Sequence, residues 1–202
     1  YTADDKPITV TISKVDVSLS IDDVEAFVDK DATITARVTL DGTVISQGSV
    51  EFFVDDISIG AASVTDSVAT ITYKFPAATQ YNVKAVYTDV KYTAEDATTT
   101  VDVAKNPATI IVTSPVNGFV DENTEFTVSV ESEGQAVVQG TITLVDGDNV
   151  LNTTVITQEE NIIGYTFSLE DTYTYKLSYN DDKYVADDVE VVFNIAKDSV
   201  SI

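Results

Sequence analysis

The chain has 202 residues, 44% of them hydrophobic and 22% charged, with 34 acidic against 11 basic side chains and a formal net charge of −23. That composition supports a folded core, and the length suits one large domain or two ordinary ones. A polyanion repels nucleic-acid phosphates and anionic lipid headgroups, and a chain without Cys or His lacks disulfides, thiolate chemistry and the commonest general base and transition-metal ligand.

No apolar run approaches the ~18 residues that a membrane-spanning helix needs, so no membrane insertion is expected in this stretch. Ten of the basic residues are Lys and Arg37 is the eleventh, a balance that suits an AT-rich coding sequence better than salt adaptation.

The elements begin at Tyr1-TADDKPITVTISK, which alternates apolar and polar residues from Ile8 and reads as a strand. Strands follow near residues 17–21, 31–40, 48–54, 57–65, 68–75, 80–88 and 92–104. Ala32, Ile34, Ala36, Val38 and Leu40 form one inward row, Val50 and Phe52 a second, and Tyr81, Val83, Ala85 and Tyr87 a third. Asp55-Asp56 reads as the hairpin turn between the third and fourth strands.

The segment Tyr92-TAEDATTTVDVAK repeats the opening one, and Tyr184-VADDVEVVFNIAK repeats it again, at spacings of 91 and 92 residues. Moving forward by 92 carries Gln47-Gly48 onto Gln139-Gly140, and Ile71, Tyr73 and Phe75 onto Ile163, Tyr165 and Phe167. It carries Tyr81, Lys84 and Tyr87 onto Tyr173, Lys176 and Tyr179. One single-residue shift is required between Ile21 and Phe27. Chance does not hold register over so many positions, so the chain contains a duplication. In the second copy Asp146-Gly147-Asp148-Asn149 is the hairpin turn, and Asn106-Pro107 marks the junction.

About seven short strands per copy, with turn signals between them and no helical periodicity, predict an all-β chain of two tandem immunoglobulin-like Greek-key β-sandwiches. The expected boundaries are residues 15–105 and 106–197. Residues 1–14 then read as the last strand of a preceding repeat and 198–202 as the first strand of a following one. An isolated strand leaves its N–H and C=O groups unpaired, so Ile8–Ser13 is expected to pair with a sheet edge, in its own first unit or in a neighbouring molecule. Ladder bonds at Thr9–Ile12 would mark a local strand.

Gly48 opening a strand, Tyr73-x-Phe75, Gln80-Tyr81-Asn-Val-Lys-Ala-Val-Tyr87, then Asp89 and Tyr92 together resemble the Ig-like repeats of bacterial and archaeal surface proteins. Those repeats read G-x-V-x-F early and G-x-Y-x-h-x-A-x-Y-x-G-D-x-x-Y late, with h apolar. The adhesin-like proteins of methanogenic archaea, with their long arrays, provide the closest resemblance. The present sequence departs by lacking the Gly before Tyr81 and Tyr173 and the Gly before Asp89 and Asp181. The resemblance implies a non-enzymatic structural or adhesive stalk, extracellular and at the cell surface, whose partners are adjacent repeats. A self-assembling filament with strands exchanged between neighbouring copies is the first alternative, and a carbohydrate-binding module the second. Most aromatics fall on inward parity, which counts against the module.

No catalytic residues are expected, because nothing isolates one carboxylate pair among so many and two near-copies of a domain argue against a unique active site. An intramolecular Lys–Asn isopeptide is not expected either, since Lys84 and Lys176 alternate with the inward rows and Asn194 is matched by Asp102 and Thr11. No cofactor is anticipated. Calcium is the one that the acidic pairs at Asp4-Asp5, Asp22-Asp23, Asp29–Asp31, Asp121-Glu122, Asp181-Asp182 and Asp187-Asp188 would serve, but no EF-hand loop is present and solvated turns account for such pairs. Asn152-Thr153-Thr154 is a glycosylation sequon. Tyr81 and Tyr173, at the start of the penultimate strand, are the expected tyrosine corners, with the ring buried and the hydroxyl bonded to nearby backbone.

Overall fold

The computed structural model describes residues 9–197, and among these the protein is all β. It divides into two compact units that meet between Val103 and Ala104, two residues before the boundary read from the sequence. Both units are immunoglobulin-like β-sandwiches.

Unit 1 comprises β1 (Val15–Asp16), β2 (Ser18–Ile21), β3 (Ala26–Phe27), β4 (Asp31–Thr39), β5 (Ser49–Val54), β6 (Ile57–Ser63), β7 (Val68–Lys74), β8 (Gln80–Thr88), β9 (Tyr92–Thr93) and β10 (Ala97–Ala104). One sheet has the order β2-β4-β7 and the facing one β3-β10-β8-β5-β6, while β1 pairs parallel with β9. In the constant-type Ig order the strand after the third crosses to the other sheet. Here β6 stays with β5 through a two-residue turn in which Asp55 and Asp56 have φ of 47° and 64°. Both central residues in the left-handed region make the mirror-image turn whose twist matches a hairpin.

Unit 2 repeats the plan with β11 (Asn106–Val112), β12 (Val116–Phe119), β13 (Asn123–Ser132), β14 (Gln135–Ala136), β15 (Thr141–Asp146), β16 (Asn149–Val155), β17 (Asn161–Thr166), β18 (Asp171–Asn180), β19 (Tyr184–Ala186) and β20 (Val189–Ala196). Its sheets are β12-β20-β18-β15-β16 and β14-β13-β11-β19, with β17 also paired to β13. Register locates the single-residue shift. Ile21 lies opposite Ala36 and Val112 opposite Val128, so the strands before the shift differ by 91 and their partners by 92. The extra residue therefore falls in the stretch between β11 and β12.

The alternating rows close the two cores. Ala32, Ile34, Ala36 and Val38 of β4, Val50 and Phe52 of β5, and Val83, Ala85 and Tyr87 of β8 are all buried. Their unit-2 counterparts Phe126, Val128, Val130, Ile142, Leu144, Tyr175 and Leu177 are buried too, around Phe167 and Phe193. Each Val, Leu, Ile or Phe among them contributes about 1.5–3 kcal/mol relative to exposure, as an upper figure.

Two expectations change. The strand expected over 92–104 is interrupted at residues 94–96, because β9 pairs with β1 whereas β10 pairs with β8 and β3. A strand that serves two partners in different directions must bend between them. At the other end, residues 9–14 form no strand and make no ladder with either unit, and Val10 and Ile12 are 77% and 91% exposed. β1, which follows directly, is the segment that pairs with the first unit, against β9. Ile8 and the terminal segments 1–8 and 198–202 lie outside the described residues.

Candidate functional site

The most conspicuous polar constellation occurs twice, once in each unit, at the loop after β8 and after β18. In unit 1 the Asp89 carboxylate accepts the backbone N–H groups of Lys91 (2.7 Å) and Tyr92 (2.9 Å) through Oδ1. That is the Asx geometry by which a short acidic side chain stands in for a backbone turn. Gln47 Nε2 donates to the same carboxylate, and the Tyr87 hydroxyl donates to the Gln47 carbonyl at 2.9 Å. Lys14 Nζ closes the group by donating to the Asp89 carbonyl at 2.6 Å.

Unit 2 builds the same clasp from Asp181, Lys183, Tyr184, Gln139, Tyr179 and Lys105. Lys183 and Tyr184 donate their N–H groups at 2.8 and 2.9 Å, Gln139 Nε2 donates at 2.9 Å, and the Tyr179 hydroxyl reaches the Gln139 carbonyl at 2.9 Å. Lys105 Nζ donates to the Asp181 carbonyl.

Gly48 and Gly140 explain why a glycine follows each glutamine. Both have φ of 82°, and a Cβ there would lie 2.7–2.8 Å from the tyrosine ring and hydroxyl and from a backbone carbonyl. Only glycine combines that backbone conformation with so close an approach.

The electrostatics follow from this packing. Burial, with Asp89 and Tyr92 close by, pushes the Tyr87 hydroxyl up to about 12. Tyr179 is raised by burial and by Asp181 and Tyr184. At Asp89 desolvation alone would raise the carboxyl. The N–H groups of Lys91, Tyr92 and Val90 and the Gln47 amide together outweigh it and lower the net value. Nothing in the clasp presents a nucleophile with a base. Its chemistry is that of a fastener between the incoming strand, the β4–β5 loop and the loop after β8.

Tyr81 and Tyr173, singled out from sequence, lie near the starts of β8 and β18, the strands that carry Tyr87 and Tyr179. Tyr173 is half-buried, packs against Phe167 with ring centroids 4.7 Å apart and a tilt of 37°, and donates its hydroxyl to the Leu169 carbonyl at 3.0 Å. Tyr81 is also half-buried and packs against Phe75 at 5.0 Å, but its hydroxyl has no partner among the described residues. The carbonyl equivalent to that of Leu169 belongs to Ala77, and it accepts the Thr79 N–H at 3.1 Å instead. The hydroxyl-to-backbone bond present in both units is that of Tyr87 and Tyr179. Sequence reasoning assigned those two to the core and gave Gln47, Gln139, Lys14 and Lys105 no role. The signal was available, because all four recur at the repeat spacing.

Asn152 lies on the edge strand β16, and its Nδ2, the atom to which a glycan would be joined, donates to the Gly164 carbonyl at 2.7 Å. A glycan on that nitrogen must displace or share this bond. Lys84 pairs with Asp56 at 3.1 Å and lies over the Phe53 ring, Lys176 pairs with Asp188 at 3.2 Å, and Asn194 is exposed beside Asn117 and Thr172. Both lysines are surface ion pairs. Among the described residues no three acidic side chains converge on one point. Of the described aromatic side chains only Phe119 is exposed, at 43%.

No family model matches the chain, and no curated protein matches it. Solved structures do. A segment of two fibronectin type III domains from chicken tenascin aligns over 86% of this chain and 98% of its own length, at 12% identity and a TM-score of 0.50. A membrane-anchored protein of Corynebacterium diphtheriae aligns over 92% of this chain and 60% of its own, at 16% identity and a TM-score of 0.39. The Yersinia pseudotuberculosis adhesin InvE aligns over 88% and 58%, at 12% identity and a TM-score of 0.37. This chain spans about three fifths of the length of the first solved chains it matches. At these identities the likeness is one of fold.

Proposed function

We propose that this chain is part of a non-enzymatic stalk of tandem Ig-like repeats in an extracellular cell-surface protein of the adhesin-like kind, and that its immediate partners are adjacent repeats. The observation that carries the reading is the shortness of the chain that connects the units. β10 ends at Ala104 and β11 begins at Asn106, so Lys105 alone separates two strands of different sandwiches. Lys105 is itself fastened to Asp181, and Asn106 donates its N–H to the Lys183 carbonyl at 2.8 Å. Lys14 makes the matching contact in unit 1, so the same lysine-led entry recurs at the repeat spacing. A device repeated at every entry suits an array whose task is spacing. The resemblance to the adhesin-like proteins of methanogenic archaea belongs to the same reading.

One observation favours the filament as a second reading. Residues 9–14 match the end of β10, where Val101 and Val103 are buried, yet Val10 and Ile12 stand exposed without a ladder. A segment with an apolar face and backbone groups outside any ladder can complete a sandwich of a second copy. Sedimentation velocity over a hundredfold concentration range separates the two. A stalk remains monomeric throughout. Concentration-dependent polymerisation would replace it with the filament, and specific binding on a glycan array would replace both with a carbohydrate-binding module.

A further inference from the structure

The outer face of one unit-2 sheet is apolar where the matching face of unit 1 is polar. Alternation buries Ile110, Val128 and Ile163 and turns Ile111, Thr127, Ser129 and Ile162 to the opposite side. Register sets these four in two cross-strand pairs, Ile111 opposite Ser129 and Thr127 opposite Ile162. Ile111 is 43% and Ile162 60% exposed, and the small hydroxyl residues of β13 lie between them. The result is a trough of two adjoining hollows, of about 490 and 180 Å³, that share Thr127 and Glu160.

The same two pairs in unit 1 are Ser20 opposite Arg37 and Thr35 opposite Thr70. There Arg37 is engaged by Asp22, through Nε at 2.8 Å from Oδ1 and Nη2 at 2.8 Å from Oδ2. The loops that lead into β7 and β17 differ as well. In unit 1 the Ser67 N–H donates to the Ile45 carbonyl at 2.7 Å, and Ser67 Oγ accepts the Ile45 N–H at 3.0 Å. The match of Ser67 in unit 2 is Glu159, and the loop is held instead by Asn161, which is buried. Its Oδ1 accepts the Thr157 N–H at 3.2 Å and its Nδ2 donates to the Gln158 carbonyl at 2.8 Å. Glu159 and Glu160 thus stand exposed at the rim of the trough. None of the strands β11, β13, β14, β17 and β19 contains Lys or Arg, so the sheet supplies no countercharge of its own.

We infer that this trough is a docking surface for a basic polypeptide segment, one that presents aliphatic side chains to Ile111 and Ile162 and Lys or Arg to Glu159 and Glu160. An acidic rim repels the anionic surfaces of nucleic acid and lipid, and a second copy of a chain with net charge −23 is repelled for the same reason. A cationic segment meets both parts of the surface. Covering the isoleucines supplies affinity, and the carboxylates select the partner and fix its register. This partner is additional to the adjacent repeats, and only the second of the two sandwiches offers it a surface.

The probe is the peptide Lys-Val-Lys-Val-Lys, blocked at both ends and titrated into the isotope-labelled full chain, with amide shifts read by NMR. Physiological salt screens the general attraction of the polyanion. Saturable shifts are expected at Ile111, Thr127, Ser129, Glu159, Glu160 and Ile162, while the unit-1 matches Ser20, Thr35, Arg37 and Thr70 stay in place. Lys-Ser-Lys-Ser-Lys keeps the charge and Ser-Val-Ser-Val-Ser keeps the valines, and each should bind more weakly than the probe. Glu159→Gln with Glu160→Gln, and separately Ile162→Thr, should each weaken binding about fourfold, the worth of two exposed ion pairs or of one buried methylene. Shifts of equal size in both units, or equal binding of Lys-Ser-Lys-Ser-Lys, would reduce the interaction to bulk electrostatics and overturn the proposal. So would the lack of any saturable shift, or variants that bind unchanged with their core resonances in place. Should Ile162→Thr disturb the fold, the loop variant and the two control peptides decide alone.

Discussion

Replacing Gly118 by Ala probes how two sandwiches with one plan are packed differently. A Cβ on Gly118 would fall onto the Thr124 hydroxyl and lie 2.8 Å from Thr124 Cγ2. Thr124 is 4% exposed, so it cannot swing aside, and its Oγ1 is buried without a hydrogen-bond partner. Unit 1 has Ala26 and Ala32 at the equivalent positions, both buried. One pair is Ala–Ala, the other Gly–Thr. The room that unit 1 gives to a methyl group at the first position is used in unit 2 by the larger residue at the second. Gly118 is outside the left-handed region, so Ala reduces the freedom of the unfolded chain and returns roughly 0.4–1 kcal/mol. Overpacking costs about 1–3 kcal/mol. The net expectation for Gly118→Ala is a loss of about 1–2 kcal/mol. Thr124→Ala gives up about 0.8 kcal/mol of buried methyl, but it removes an unsatisfied hydroxyl whose burial costs about 1–3 kcal/mol. The balance runs from neutral to a gain of about 2 kcal/mol. The double variant reproduces the pair of unit 1 and should recover most of the Gly118→Ala loss, a favourable coupling of about 1–2 kcal/mol. Because a two-unit chain need not unfold in one step, the assay is urea-dependent hydrogen exchange read by mass spectrometry, with unit-1 peptides as the internal control. A Gly118→Ala variant that costs nothing, or a double variant no better than Gly118→Ala, would refute the reasoning.

Other outcomes follow from the clasp and the acidic surface. Tyr87→Phe and Tyr179→Phe should each cost about 1 kcal/mol, the worth of one neutral hydrogen bond, measured by the same exchange method. The Tyr87 hydroxyl is raised in the folded state to about 12. The unfolded chain therefore loses this proton first as pH rises, and the stabilisation is complete below about pH 10 and disappears on the way to about 12. Tyr87→Phe should flatten that alkaline fall in unit 1, and an unaltered profile would place its origin elsewhere. Thermal melts in EDTA and in millimolar Ca²⁺ should agree within a few degrees, since a calcium site wants six to eight oxygens and no such group is assembled among the described residues. A large rise with Ca²⁺ would show that the acidic pairs act in concert.

The sequence by itself determined the duplication, most of the strand positions, the inward rows and the two-residue turn at Asp55-Asp56. All of these are local or periodic. Alternation needs only a strand with one buried face, and a hairpin needs only residues that tolerate positive φ. That turn also contained the reason why β6 stays in the sheet of β5, although the Greek-key expectation alone did not draw it. What tertiary structure decided are partnerships between residues far apart in the chain. The parallel contacts of β11 and β12 with β19 and β20 join residues 77–78 apart. The Tyr179–Gln139 bond and the Lys105–Asp181 bond span 40 and 76 residues. Tyr81 and Tyr173 look alike in sequence, yet only Tyr173 finds a carbonyl, because the preceding turn directs the Ala77 carbonyl to Thr79 in one unit and the Leu169 carbonyl to the hydroxyl in the other. The exchange of Ala26 and Ala32 for Gly118 and Thr124 is equally silent in the apolar pattern. Volume is conserved across a contact and not along a strand, so it becomes visible only when the two strands are brought together.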